Sequence, residues 1–250
     1  MEMALGFGAI ASIALIIGGV TGSYWSPSRR ITGVLLAFAS GTLISALAFD
    51  LFPLAVEAGG LARSTTGLIA GAGVFVVINT WLDKKAAPVA ADTEAGAGKD
   101  EEIQVLKEGA SRGMGFALLA SVTLDGVPEN LALGASLQQE ASLTLLMAIF
   151  ASNLPESLVG AMAMRKGGQR PLSVILIWSA AAVILTLTVL FGSLATGLEA
   201  GTLAFALAFA GGAVLASLAD TLMPEAFERG RPLNSFATAV GFVVSFALAN

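Results

Sequence analysis

Neither cysteine nor histidine occurs in the 250 residues. The first absence excludes disulfides and thiolate metal sites. The second removes imidazole both as a metal ligand and as a proton shuttle. Charge is scarce too: 12% of residues are Asp, Glu, Lys or Arg, about half of the ~25% usual in a soluble domain, so an ordinary water-soluble domain is excluded. Disorder is excluded by the opposite excess, 56% hydrophobic residues and a mean hydropathy of +0.82. Phe, Trp and Tyr total 18 against 29 glycines, and small residues at that density suit close helix packing in lipid. The net charge of −5 indicates no partner, because most acids sit in one segment or inside apolar stretches. Nucleic acid is not an expected partner; the lipid bilayer is.

A bilayer-crossing helix needs about 20 mostly apolar residues. Eight such stretches are predicted, at 3–22, 31–53, 63–82, 111–137, 141–164, 171–193, 200–225 and 232–249. The start Met1-Glu2-Met3 is acidic where a signal peptide is basic. With eight spans alternating in direction, twelve of the thirteen basic residues fall on one side and Arg63 alone on the other. Lys and Arg accumulate on the cytoplasmic side. Both termini are therefore expected outside a cell (inner) membrane. The Ala-, Gly- and acid-rich 83–110 stretch is expected inside, as a flexible linker with a short helix near Glu101–Glu108.

Internal repeats are visible. Residues 37–53 and 208–224 match at eight of seventeen positions with an offset of 171, including Gly41 with Gly212 and Pro53 with Pro224. DGVPENL at 125–131 and SNLPESL at 152–158 share Pro-Glu and a following Leu at an offset of 27. In each pair the two predicted helices run in opposite directions. Inverted repeats with Pro-interrupted helices are a usual build of secondary transporters. The expected fold is therefore an all-α, polytopic bundle of eight transmembrane helices in a 3+2+3 inverted repeat.

Asp125, Glu129 and Glu156 lie deep in their predicted spans, Asp50 and Asp220 nearer the ends, and Glu225 near an interface. An acid at a bilayer centre costs about 2.5–3.5 kcal/mol on insertion scales, and no Lys or Arg lies at that depth in these spans. A cation, a proton or cavity water is the remaining compensation. Asp125 and Glu129 share a helix face, as do Asn153 and Glu156. Pro128 and Pro155 deprive the carbonyls of Leu124 and Ala151 of their helical donors. Freed carbonyls and facing carboxylates make an all-oxygen cation site, to which Ser121, Ser152 and Ser157 add hydroxyls. Asp50, Asp220, Glu225 and Ser121 are candidates for a pathway. The bland readings are an interfacial cap for Asp50, an interfacial position for Glu225, helix-to-helix glue for Asn153, and protonated, hydrogen-bonded acids in the bundle.

These motifs resemble the metal-binding helices of the ZIP (Zrt/Irt-like) divalent-metal transporters, whose fourth and fifth helices carry patterns like His-Asn-x-Pro-Glu-Gly. PENLALG at 128–134 is the most specific match and NLPE at 153–156 the next. The resemblance covers nearly the whole chain. It places Asp125 at the first histidine, Glu129 at the helix-four glutamate, Ser152 at the helix-five histidine, and Asn153 and Glu156 at the following ligands. Asp50 falls where a histidine is frequent, and Asp220 precedes the Pro224-Glu225 pair. The departures are substantial: every family histidine is replaced, Asn130 and Ser157 stand for the closing glycines, and 171–193 contains no acid.

The resemblance implies a transporter moving zinc, manganese or iron into the cytoplasm as substrate, through Asp125, Glu129, Asn153, Glu156 and Ser152. It implies no organic cofactor and a divalent ion as partner, and is compatible with a homodimer. Without His, Cys or a cofactor motif, an enzyme is not expected. Carboxylate and carbonyl oxygens suit manganese and other hard cations better than imidazole would, whereas inheritance points to zinc or iron. Two other readings are a ZIP-like membrane protein that no longer carries metal and has a structural or sensing role, and a proton-linked carrier of another solute.

Overall fold

A computed structural model of the chain describes residues 1–94, 126–137, 142–194 and 199–249. Among the described residues all regular structure is helical: α1 (Glu2–Tyr24), α2 (Arg29–Gly59), α3 (Leu61–Glu94), α4 (126–136), α5 (Leu143–Lys166), α6 (Pro171–Ser193), α7 (Ala200–Gly230) and α8 (Asn234–Ala249). Six of these are long and apolar enough to cross a bilayer, α3 through its Leu61–Trp81 part, and α8 is a shorter apolar helix. The 23 residues of α1 reach about 35 Å, more than a hydrocarbon core of about 30 Å. Large aliphatics such as Ile13 and Ile17 on α1, Ile69 and Val77 on α3 and Leu176 and Val183 on α6 are exposed, as lipid-facing side chains must be. This is an all-helical, multi-pass membrane protein.

Hydroxyls inside such helices need internal acceptors, because lipid offers none. Ser23 donates to the Gly19 carbonyl, Ser40 to Leu36 and Thr188 to Ile184, each four residues back. Each predicted span overlaps a described helix, and three helices run further than predicted: α2 to Gly59, α7 to Gly230 and α3 beyond residue 82. Helix α3 continues past residue 82 to Glu94, so the first part of the 83–110 stretch is helical; Ala-rich sequence carries good helix propensity. The rest of that stretch and residues 111–125 lie outside the described residues.

Helices α2 and α7 share an unusual build. Each begins with eighteen α-helical residues (Arg29–Ala46, Ala200–Ser217), passes through a five-residue π-helical turn (Leu47–Leu51, Leu218–Leu222), and ends in eight α-helical residues (Phe52–Gly59, Met223–Gly230). Every boundary matches at the 171-residue offset of the sequence repeat.

Close crossings match as well. At the α2–α8 crossing, a Cβ on Gly41 would run into the Thr238 carbonyl, and one on Gly241 into the Phe38 carbonyl. At the α3–α7 crossing, Gly212 meets the Leu68 carbonyl and Gly71 the Phe209 carbonyl in the same way. Helix α1 packs on α5 through Gly22 against the Leu158 carbonyl, while α6 packs on α4 through Gly192 against the Leu131 carbonyl. One apolar cluster joins Leu43, Leu47 and Leu51 of α2, Leu133 of α4, Ile149 of α5 and Leu207, Leu218 and Leu222 of α7. A second surrounds Trp178 of α6 with Leu15 of α1 and Met164 of α5. Helices α4 and α5 therefore take part in the core shared with α2 and α7.

Helix ends sort by contact. Arg165 donates to the Ser23 carbonyl, and Gly33 lies against Gly230. Short connections tie Tyr24 to Arg29 and Lys166 to Pro171, so Arg29, Arg30, Arg165, Lys166, Arg170, Arg229 and Arg231 gather at one end of the bundle. At the other end Gly59 meets Gly201, and Gly201 meets Arg63.

Candidate metal site

The two Pro-Glu motifs sit in the described parts of α4 and α5. Helix α5 runs unbroken through Pro155, because the neighbouring turns supply enough bonds for the loss of one. Glu129 is 6% exposed, Ser152 and Asn153 are each 1% exposed, and Glu156 is half-buried. Asn153 donates its amide Nδ2 to the Ala11 carbonyl of α1 at 3.2 Å. That bond fixes the amide plane and leaves Oδ1, the atom a cation would use, turned away from the anchor. Ser152 Oγ donates to the Ile149 carbonyl at 3.0 Å, which leaves its oxygen lone pairs as acceptors. Ser157 is committed to packing: its Oγ contacts the carbonyls of Asn153 (2.7 Å) and Ala14 (3.3 Å), binding α5 to α1 where Gly18 lets them approach.

The outlying acids have separate partners. Asp50, in the π turn of α2, accepts from Ser142 Oγ at 3.2 Å. Ser142 is the N-cap of α5 and also accepts from the Leu145 N–H at 3.0 Å. Asp220, in the π turn of α7, is exposed and accepts from Asn79 Nδ2 of α3 at 2.6 Å. Glu225 pairs with Arg229 at 2.6 Å one turn on, half-exposed at the basic end, consistent with an interfacial position. Asp125 and Ser121 lie outside the described residues. Among the described residues no three Asp or Glu side chains converge as a metal cluster.

Sequence reading missed three features. The π turns are one; their trace is the acid and the Pro that follow each other within four residues in FDLFP and DTLMP. Another is Ser142, recognisable only as a Ser opening an apolar run. The third is Asn130, fully buried, whose Nδ2 donates to the Gly126 carbonyl at 2.8 Å while Oδ1 has no partner among the described residues. A cavity of about 550 Å³ opens beside Pro128, between α4, α6 and α7. The described side chains lining it, among them Leu131, Phe191 and Leu207, are apolar, so it supplies no side-chain ligand for a cation.

No family model matches the chain, and no curated protein matches it.

Proposed function

We propose that the protein is a divalent-metal transporter of the ZIP type, moving its cation toward the cytoplasm past Glu129, Asn153, Glu156 and Ser152, with Asp125 completing the set. The observation that carries this reading is the pair of Pro-Glu turns on two helices of one core, with Glu129 only 6% exposed. A carboxylate at that depth is expensive, and a second one on α5, next to an anchored amide and a hydroxyl, gives the oxygen-rich set that a hard cation uses. The common boundaries of α2 and α7 and the matched glycine crossings support a 3+2+3 inverted repeat. Its central pair is α4 and α5. The sorted basic ends support an orientation with both termini outside. The ion is best left as zinc, manganese or iron: the family favours zinc or iron, and the oxygen donors favour manganese.

Purified protein in liposomes should take up at least one of Zn²⁺, Mn²⁺ and Fe²⁺, and uptake should fall as pH drops, since protons compete for the same carboxylates. Glu129→Ala and Glu156→Ala should each reduce uptake at least about tenfold, a loss of ~1.4 kcal/mol of differential binding, with the protein still inserted and monodisperse. Normal uptake by both variants would remove the site and, with it, the transporter assignment.

A further inference from the structure

The two π turns separate segments that pack on different partners. In α2, Arg29–Ala46 packs on α8 and α5, whereas Phe52–Gly59 packs on α3 and on Ala200–Ser217 of α7. In α7, Ala200–Ser217 packs on α3 and on Phe52–Gly59, whereas Met223–Gly230 packs on Arg29–Ala46 and α8. The long half of each helix thus belongs with the short piece of the other. Two packing groups result, and the only main-chain segments of α2 and α7 shared between them are the π turns.

The backbone at these joints is depleted of hydrogen bonds. Phe52 N–H reaches the Leu47 carbonyl, five residues back, and Pro53 has no N–H. The Ala48 carbonyl therefore has neither of the helical donors that would span the joint. Met223 N–H reaches the Leu218 carbonyl and Pro224 has no N–H, which leaves Ala219 in the same state. Sharp bends in helices occur at Pro and at π bulges, and π turns are frequent at functional positions. Here both causes coincide, twice, at equivalent places.

We propose that Leu47–Leu51 and Leu218–Leu222 are a matched pair of hinges, about which the group holding Arg29–Ala46 and Met223–Gly230 rocks against the group holding Ala200–Ser217 and Phe52–Gly59. Asp50 links the first hinge to α5: its carboxylate accepts from Ser142, the N-cap of α5. A change of angle at Leu47–Leu51 is transmitted to α5 through that contact. The hinge pair stands independently of the metal reading, because it rests on backbone geometry and packing.

The chain has no cysteine, so paired spin labels can be placed without background. Glu57→Cys, beyond the first hinge, with Leu248→Cys on α8, which packs with Arg29–Ala46, joins two exposed positions in different packing groups, so a sideways tilt changes their separation directly. Leu172→Cys with Phe191→Cys, both exposed on α6, is the unhinged control. Pulsed dipolar distances are measured in liposomes without added ion, with Mn²⁺ and with Zn²⁺. A tilt of about 20° would move the end of the 12 Å piece beyond the turn by about 4 Å. A second population displaced by about that much, absent from the α6 pair and collapsed to one by Pro53→Ala, is expected. Pro53→Ala replaces an imino acid by a good helix former, so misfolding is not its expected outcome. A distribution as narrow as the α6 pair in all three conditions would overturn the hinge, as would a split that Pro53→Ala leaves unchanged. A split in protein that transports none of the ions would keep the hinge and reject the metal reading.

Discussion

Glycine side-chain positions at the crossings are where single atoms matter. A methyl on Gly41 or Gly212 would collide with a carbonyl of the facing helix, whereas Gly73 has nothing within 4 Å of the same position. In lipid, helix association depends on close packing rather than on the hydrophobic effect, so this collision has no easy compensation. Gly41→Ala and Gly212→Ala should each destabilise by about 1–3 kcal/mol, and Gly73→Ala should be neutral or slightly stabilising. Thermal unfolding in detergent compares the three; equal melting of Gly41→Ala and Gly73→Ala would mean that the crossing is looser than described. Ser142 has two tasks, capping α5 and holding Asp50. Ser142→Ala should cost about 1 kcal/mol as a lost cap, read as an earlier denaturation midpoint. If Asp50→Ala already carries the full loss, the cap is not the source.

At the scale of the element, the spans were readable because a helix in lipid must be apolar along its length; the predicted sixth span coincides with Pro171–Ser193. Their internal irregularities were not readable. A π turn needs one surplus residue against the helical repeat, and in a helix apolar on all sides no periodicity marks the slip. The repeat 37–53 against 208–224 located both turns without revealing what they are. Likewise α3 outlasts its apolar part, since helix propensity persists where hydropathy stops. Pro155 makes the element-scale argument testable. Pro155→Ala gives the Ala151 carbonyl a helical donor and should leave α5 as stable or more so, by up to about 3 kcal/mol. If that carbonyl is part of the cation path, uptake should nevertheless fall. Unchanged uptake in a more stable protein would assign the carbonyl a purely structural place.

For the whole molecule, residue types and spacing named the candidate positions, and Glu129, Ser152 and Asn153 are each buried; their meeting at one ion belongs to the proposal. What the spacing did not reveal is the supporting contacts, such as the Ala11 carbonyl that anchors Asn153, because that carbonyl lies 142 residues away in sequence. Orientation is a whole-molecule property and has its own test. An impermeant thiol reagent applied to intact cells should label Glu2→Cys and spare Ala95→Cys; the reverse pattern would invert the topology. The sorted ends carry one more consequence. Among described residues outside 82–94, and leaving aside Asp50 and Asp220 in the π turns, the Arg229 end holds seven basic residues against Glu225 and Glu228, and the Arg63 end holds one against Glu2, Glu57 and Glu199. These residues give the bundle an electrical axis, with a formal charge of +5 at one end and −2 at the other. Turning these charges over against a potential of 100 mV would cost roughly 16 kcal/mol before counter-ions, at ~2.3 kcal/mol per charge. An energised membrane thus acts as a polariser for this chain, while a vesicle at zero potential has no such preference and, unless anionic lipid is confined to one leaflet, accepts it either way round.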